Sequence, residues 1–464
     1  MVDSIVDARR FFRVGLRQAS RVSPVTIAES GFMSSGSSRR YCVIGAGANG
    51  LAALRTLVES GFDVDCFERE PDVGGVWNIG QGSRSVCAST HLISSKRNTE
   101  FSDFPMPAEL PPYPSHAQVL EYLRSYATRY DLLRHITFDA EVRSIDPVES
   151  GAGWMVQLGN GEQRHYRAVL IANGHHWDAQ KPKYAGTFAG EILHARQYCL
   201  TDQLKGRRVL VVGCGNSGCD IAVDAARNAR STLLSVRRGR HFVPKFLFGR
   251  PIDEGADLTA GLRVPRWLQR LLGLFPLHAA LGPPQAAGLP RPDHGFYEEE
   301  AIPTSLLPYE VGHGRIKIKP DIVSLEQNQV RFADQSIEEV DLIIFATGYR
   351  ISLPFLSDDL LTWDDGVPRL FLNIFAPQRE GLYFIGLSDP SSRTWSTAAA
   401  AARLVAAYER RAQQDPAGVA WFRRRCNEQA GAIGVGRSPK SRFLKIEYHD
   451  YMRRLGSLTK ALER

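Results

Sequence analysis

The chain is poor in several things that would have simplified its reading. No apolar run approaches the ~20 residues needed to cross a bilayer, so the body is expected to be soluble and cytoplasmic. The net charge of +7 is spread along 464 residues. It forms no basic cluster interleaved with aromatic platforms, so nucleic acid is not an expected partner. Seven cysteines follow no framework spacing, and an odd, scattered set fits a reducing compartment. No CxxC, HExxH or paired Cys/His spacing occurs, so no metal site is expected. Neither a nucleophile triad nor a carboxylate dyad can be picked out.

What the chain does have is one phrase written twice. "CVIGAGANGL" (42–51) and "LVVGCGNSGC" (210–219) each run from an apolar β-type stretch through Gly-x-Gly-x-x-Gly into a helix-like stretch. In the first, Tyr41 to Ile44 reads as a buried parallel strand. Gly45 permits the tight turn, Gly47 lets a pyrophosphate approach the backbone, and Gly50 allows close helix–strand packing. A helix over 49–59 presents its N-terminal NH groups to phosphate. The next strand, Val64 to Phe67, ends at Glu68, whose carboxylate suits a free ribose.

The second unit repeats this with strand Val209 to Val212, turn Gly213, Gly215 and Gly218, a helix through Ala229, and strand Thr232 to Val236. That strand ends at Arg237 and Arg238. Guanidinium groups bind a 2′-phosphate that a carboxylate would repel. The second turn therefore suits NADP(H), and the first suits FAD or NAD. Cys214 and Cys219 form a C-x4-C pair inside the second turn; they read as core filler, although some flavin disulfide reductases use that spacing.

The segments between sort by composition. "PDVGGVWNIGQGSRS" is a Gly-rich loop suited to close backbone approach, with Trp77 as a flat partner. Ser115 is a plausible N-cap for a helix beginning at 116. Stretches 136–172 and 314–347 are both β-rich and end in apolar closing strands, "LIANG" and "IFATG". This echo predicts an α/β fold of two Rossmann-like dinucleotide-binding domains, the second inserted into the first. The expected division is 39–177 for the first domain, 178–338 for the second with an insertion at 250–300, and 339–445 for the return, leaving 446–464 as a C-terminal tail. Residues 1–38 are Arg- and Ser-rich and read as a disordered extension. A targeting peptide or membrane-surface helix is the alternative, and Arg13 and Arg17 argue against twin-arginine export. Residues 262–290 are apolar enough for a substrate lid, a homodimer contact, a peripheral membrane patch or a buried hairpin.

From about residue 40 to 450 the sequence resembles the class B flavin-dependent monooxygenases, the flavin-containing monooxygenase family. "FAGEILHARQY" matches the family signature through Phe188, Gly190, His194 and Tyr198, and "GGVW", "FSDFPMP" and "FATGY" match further segments. The resemblance implies FAD at Gly45, Gly47, Gly50 and Glu68, with Gly75 and Trp77 near the flavin. It implies NADPH at Gly213, Gly215, Asn216, Ser217, Gly218, Arg237 and Arg238. Thr347 and Gly348 join the cofactor set, and Ser95, Lys96 and Asn98 fall near the flavin. The signature helps position the nicotinamide and is not itself acid–base machinery.

The implied activity is NADPH-driven reduction of FAD, addition of O2 to give a C4a-hydroperoxyflavin, and oxygen transfer to N or S of a small lipophilic molecule. Tyr198 stands where Baeyer–Villiger relatives usually carry Trp, which leans toward N- or S-oxygenation. Oxygenation of a ketone, an uncoupled NADPH oxidase and a non-catalytic nucleotide-binding protein are the alternatives. Two departures bear on the substrate pocket: Ile93 stands where many members have Asn, and "SDPSSRTWSTAAAAARL" lacks the usual Gln-rich pattern.

Overall fold

A computed structural model describes residues 40–79, 86–148, 153–254, 282–296, 298–299, 301–390, 393–431, 433–434 and 438–464. The N-terminal extension and most of the apolar stretch 262–290 lie outside the described residues. The elements that place the site are β1 (Tyr41–Ile44), α1 (Ala48–Glu59), β2 (Val64–Phe67), α2 (His116–Arg129), β3 (Ile136–Thr137), β4 (Ala168–Ile171), β5 (Glu191–His194), β6 (Arg208–Val212), α3 (Asn216–Asn228), β7 (Ser231–Ser235), β8 (Ile316–Lys319), β9 (Leu342–Phe345), β10 (Leu382–Phe384), α4 (Thr394–Gln414) and α5 (Tyr448–Leu462).

Two five-stranded sheets carry the molecule, in the orders β10-β4-β1-β2-β3 and β5-β9-β6-β7-β8. Every pairing in them is parallel. β1, β4 and β9 are buried along their whole length. That is why they read as unbroken apolar runs rather than as alternation. The sheets are built alike. In each, the strand before the glycine turn lies between the strand that follows the turn and a later closing strand, Ile44 opposite Ile171 in one and Val212 opposite Phe345 in the other.

Each closing strand is preceded by an antiparallel meander, over Val142–Tyr166 in the first unit and Ile322–Glu339 in the second. Strand Ala185–Phe188 joins the second meander in parallel. Helix α2 begins where the sequence places it. Ser115 and Gln118 form a reciprocal capping box, with the Ser115 amide donating to Gln118 Oε1 at 2.9 Å.

Two expectations need correction. A return to the first domain at residue 339 comes one strand too early, because β9 pairs with β5 and β6 of the second sheet. The chain rejoins the first sheet only at β10, beside β4. The closing-strand echo already contained this answer, since β9 stands to β6 as β4 stands to β1.

Residues 446–464 are also no tail. α5 buries Tyr451, Leu455, Leu458 and Leu462 in the same core as α1, α2 and α4, and the Tyr451 hydroxyl donates to the Leu372 carbonyl at 2.8 Å. Those four residues recur at helical spacing on one face, a pattern that packs rather than trails. Leu455 is 1% exposed. Leu455→Ala should lower unfolding stability by about 2–5 kcal/mol, the range for truncating a buried leucine, as measured by urea denaturation; a loose tail would give no change.

Candidate functional site

The two glycine turns share one steric design. Gly45 and Gly213 have φ of +100° and +107°, where an L side chain is strained. A Cβ on Gly45 would meet the Ala172 carbonyl oxygen at 2.7 Å, and one on Gly213 the Ala346 oxygen at 2.6 Å. A Cβ on Gly50 would sit 1.8 Å from the Gly45 oxygen, and one on Gly218 2.0 Å from the Gly213 oxygen. Both helices therefore cross their strands at a distance only glycine allows. Gly47 and Gly215 are N-caps in extended conformation with no side-chain cap. The first NH groups of α1 and α3 are left for a ligand, and with the helix dipole they favour phosphate. Asn216, Ser217 and Gly218 form the first turn of α3.

The surroundings of the turns differ. The first is roofed by its own chain: the Gly74 amide donates to the Ala46 carbonyl at 3.1 Å, and a Cβ on Gly75 would lie 3.0 Å from the Gly47 Cα. Trp77 closes that 3-10 turn and packs against the first core. The Gly-rich loop is thus laid against the glycine turn itself. Above Gly215 nothing lies within 4 Å of a built Cβ. Glu68 is 6% exposed. One carboxylate oxygen accepts the Ala46 amide at 2.6 Å and the other the Glu70 amide at 3.0 Å. Burial raises its pKa against the pull of those two amides. Glu68 therefore shapes the turn as well as standing at its edge.

At the matching strand end in the second unit, Arg237 is exposed and makes no ion pair among the described residues. Arg238 is held by Asp293 at 2.9 and 3.2 Å. The two arginines, alike in sequence, are thus separated by structure: only Arg237 is uncommitted.

The signature residues do structural work in the second unit. His194, the last residue of β5, is fully buried. Its Nδ1 accepts the Arg196 amide at 3.2 Å, which leaves the proton on Nε2, 3.1 Å from the Gly348 carbonyl oxygen. Tyr198 is 1% exposed and its hydroxyl donates to Asp224 of α3 at 3.0 Å; Ser89 donates to the same carboxylate oxygen at 2.6 Å. A Cβ on Gly190 would strike the Asp341 oxygen at 2.6 Å and the Phe188 ring at 2.7 Å. The Thr347 hydroxyl donates to the Gln180 carbonyl, and the Gly348 oxygen also accepts the Gln180 amide at 2.9 Å. These two residues tie the end of β9 to the linker.

Near the first turn, the Lys96 ammonium donates to the carbonyls of Pro107, Ala108 and Leu110 at 2.8, 2.9 and 2.6 Å. It is committed to the fold. Ser95 is fully buried with an unpartnered hydroxyl, while its amide donates to Asp253 at 2.6 Å. Asn98 is buried, and Ile93 is 43% exposed.

Among the described residues nine buried side-chain polar atoms lack partners, Ser95 Oγ and, at Asn49, His175 and Ser396, Oδ1, Nδ1 and Oγ among them. Asn49 occupies an x position of the first turn and abuts Gly386. Ser396 lies on the first turn of α4, the helix packed along α1. Orphaned buried groups are costly, and a polar ligand at the first turn would complete them. In the sequence, Asn49 was marked only by its place inside the first glycine turn, and Ser396 by its place at the start of a helix. The residues present thus fit a dinucleotide at each turn.

Residues 38–461 match the family described as Flavin-binding monooxygenase-like. The chain is 33% identical over 394 residues to human flavin-containing monooxygenase 2, covering 79% of this chain and 72% of that protein. Among solved structures it is similar to S-allyl-L-cysteine S-oxygenase from Allium sativum, at TM-score 0.63 and 20% identity, over 91% of this chain and 88% of that one. It is also similar to a steroid monooxygenase bound to NADP, at TM-score 0.67 and 19% identity, over 92% and 98%. The two structures share the fold.

The fold and its paired nucleotide turns define a two-dinucleotide flavoprotein monooxygenase. This chain belongs to the flavin-binding monooxygenase-like family: it is an NADPH-dependent oxidoreductase that uses FAD and O2.

Burial lowers the pKa of His194 against the Gly348 hydrogen bond. A histidine depressed below its unfolded value of about 6.5 contributes stability that is complete above that pH and is lost as pH falls through the folded value. The stability penalty of His194→Gln should therefore be largest at pH 8 and shrink toward pH 5, as read from paired urea midpoints. A penalty that stays constant with pH would show that His194 does not titrate with folding.

Proposed function

We propose that this chain oxygenates a nitrogen or sulfur atom of a small lipophilic molecule, with FAD at the first glycine turn and NADPH at the second. The observation that carries the assignment is the contrast at the two strand ends: buried Glu68 after one turn, and after the other an exposed Arg237 with no ion pair among the described residues. A ribose with free hydroxyls suits a carboxylate, and a 2′-phosphate suits a guanidinium. The relatives named N-oxide-forming dimethylaniline monooxygenase, 33% identical over 394 residues in Pan troglodytes, support the nitrogen branch.

Bound flavin supplies a two-electron store that reacts with O2. The chain's own residues bind, orient and enclose. The free NH groups of α1 and α3 hold the two pyrophosphates. Gly75 and Trp77 lie over the first turn. Asn49, His175 and Ser396 offer unpartnered polar atoms to the same cofactor. His194 and Tyr198 lash the end of β5 to the Gly348 loop and to α3, which braces the second turn within its own unit. No side chain is required as a general base, consistent with the committed state of Lys96 and the neutral, buried state of His194.

We also propose the cytoplasm as the setting. None of the seven cysteines is in a disulfide, and no helix among the described residues is long and apolar enough to cross a membrane. The segment considered for a lid, membrane patch or homodimer contact lies largely outside the described residues.

Arg237→Ala should lower the NADPH-over-NADH ratio of kcat/KM by about 10–100-fold, the worth of a charged hydrogen bond of roughly 1.5–3 kcal/mol. An unchanged ratio would remove Arg237 from the site. Gly218→Ala, whose methyl would lie 2.0 Å from the Gly213 oxygen, should abolish reduction by NADPH while the protein keeps its FAD. Gly50→Ala should yield protein without FAD. Both outcomes are read from flavin absorbance before and after anaerobic NADPH, and the opposite pattern would reverse the cofactor assignment. Product analysis with an amine, a sulfide and a ketone side by side tests the oxygenated atom.

A further inference from the structure

The two turns differ in one chemical respect that nucleotide binding does not explain. The first has Ala46 and Leu51 where the second has Cys214 and Cys219. Cys214 lies between Gly213 and Gly215, the two glycines that shape the pyrophosphate turn, and Cys219 is in the first turns of α3. Their Sγ atoms are 3.8 Å apart. Both thiols are buried, Cys219 completely and Cys214 at 8% exposure, and both are free. A disulfide needs sulfurs about 2.05 Å apart, so a closure of less than about 2 Å would join them.

We propose that Cys214 and Cys219 are a redox modification site. Hydrogen peroxide converts them to a disulfide, which distorts the NADPH turn and weakens NADPH binding. The inference rests on placing NADPH at this turn. The oxidant follows from the family's own chemistry: when NADPH and a proton are consumed with O2 and no oxygen reaches a substrate, the products are NADP+ and hydrogen peroxide. Cys214 is the more exposed sulfur and attacks the peroxide first. The O–O bond breaks, one water leaves and Cys214 becomes a sulfenic acid. Cys219 then attacks that sulfur, the S–S bond forms and the second water leaves. Two thiols have lost two electrons and two protons to one peroxide.

The hydrogen bond to Cys214, and then burial, hold the Cys219 thiol well above its usual pKa. A thiol so held is a poor nucleophile, which fits Cys219 as the second sulfur to react. The residues of the first turn include no cysteine, although Cys66 of β2 places its Sγ 3.9 Å from the Gly45 oxygen; FAD should stay bound while NADPH entry is shut. The device would stop a flavoprotein that is wasting reductant at the point where reductant enters.

The test uses the full chain with FAD bound. Reduced enzyme is treated with hydrogen peroxide, the excess is destroyed with catalase, and thiols are counted in denaturant. The expected result is loss of two of seven thiols and a peptide linking Cys214 to Cys219. KM for NADPH should rise by about tenfold, equivalent to about 1.4 kcal/mol of lost binding, with flavin content unchanged and dithiothreitol restoring the thiols and KM. Cys219→Ala, compared with its own untreated sample, should form no crosslink and show no lasting rise in KM.

The inference is overturned if all seven thiols survive, if the crosslink joins other cysteines, or if KM rises equally in treated Cys219→Ala. If Cys219→Ala fails to retain FAD, Cys214→Ser serves with the same expected outcome. Failure of untreated native enzyme to oxidise NADPH would instead count against the NADPH assignment and would take this inference with it.

Discussion

The rest of the structure depends on a steric contact that a single methyl group would destroy. In each unit a helix must start close enough to the strand before it that the third glycine lies against the carbonyl of the first. A Cβ there would come within 1.8 Å in one unit and 2.0 Å in the other. Once the crossing is that tight, the helix N-terminus points its free NH groups past the strand end, and a phosphate site exists without any side chain. Parallel pairing follows, because a strand feeding such a helix must return through a crossover. Burial on both faces then dictates the apolar runs of β1, β4, β6 and β9.

The signature between the turns acquires a physical role from this arrangement. His194 and Tyr198 are core groups with assigned partners, a backbone carbonyl at Gly348 and a carboxylate at Asp224. Neither is aimed at a substrate. A neutral histidine that donates from one nitrogen and accepts at the other locks two backbone segments at once, and a tyrosine bonded to α3 fixes that helix against β5. The motif braces the second nucleotide turn, tying the chain around β5 to the loop after β9 and to α3.

The first unit has a comparable lock that no motif announced. Glu409 of α4 is 3% exposed. It accepts the Tyr41 hydroxyl at 2.9 Å, the Arg167 guanidinium at 2.9 Å and the Tyr383 hydroxyl. These partners lie on β1, next to β4, and on β10, so one carboxylate joins the helix layer to three neighbouring strands. A buried charge persists only when it is paired and hydrogen-bonded. In the sequence, Glu409 sits in "AAYERRAQ", amid charges that read as a solvated helix end. Nothing local distinguishes it from Arg410, because its nearest partner in sequence, Tyr383, is 26 residues away and the other two are more than 200 away.

The sequence by itself determined what depends on neighbours along the chain. The glycine spacing, the buried strands flanking it, the Ser115 cap and the contrast between Glu68 and Arg237 are all local patterns, and each stands where it was read. Tertiary structure alone decided which of two adjacent arginines was already paired. It also decided that Lys96 serves three carbonyls and that two cysteines five residues apart touch. Those outcomes depend on distances between segments remote in sequence or on the direction a side chain takes from its backbone, and neither is written in a one-dimensional pattern.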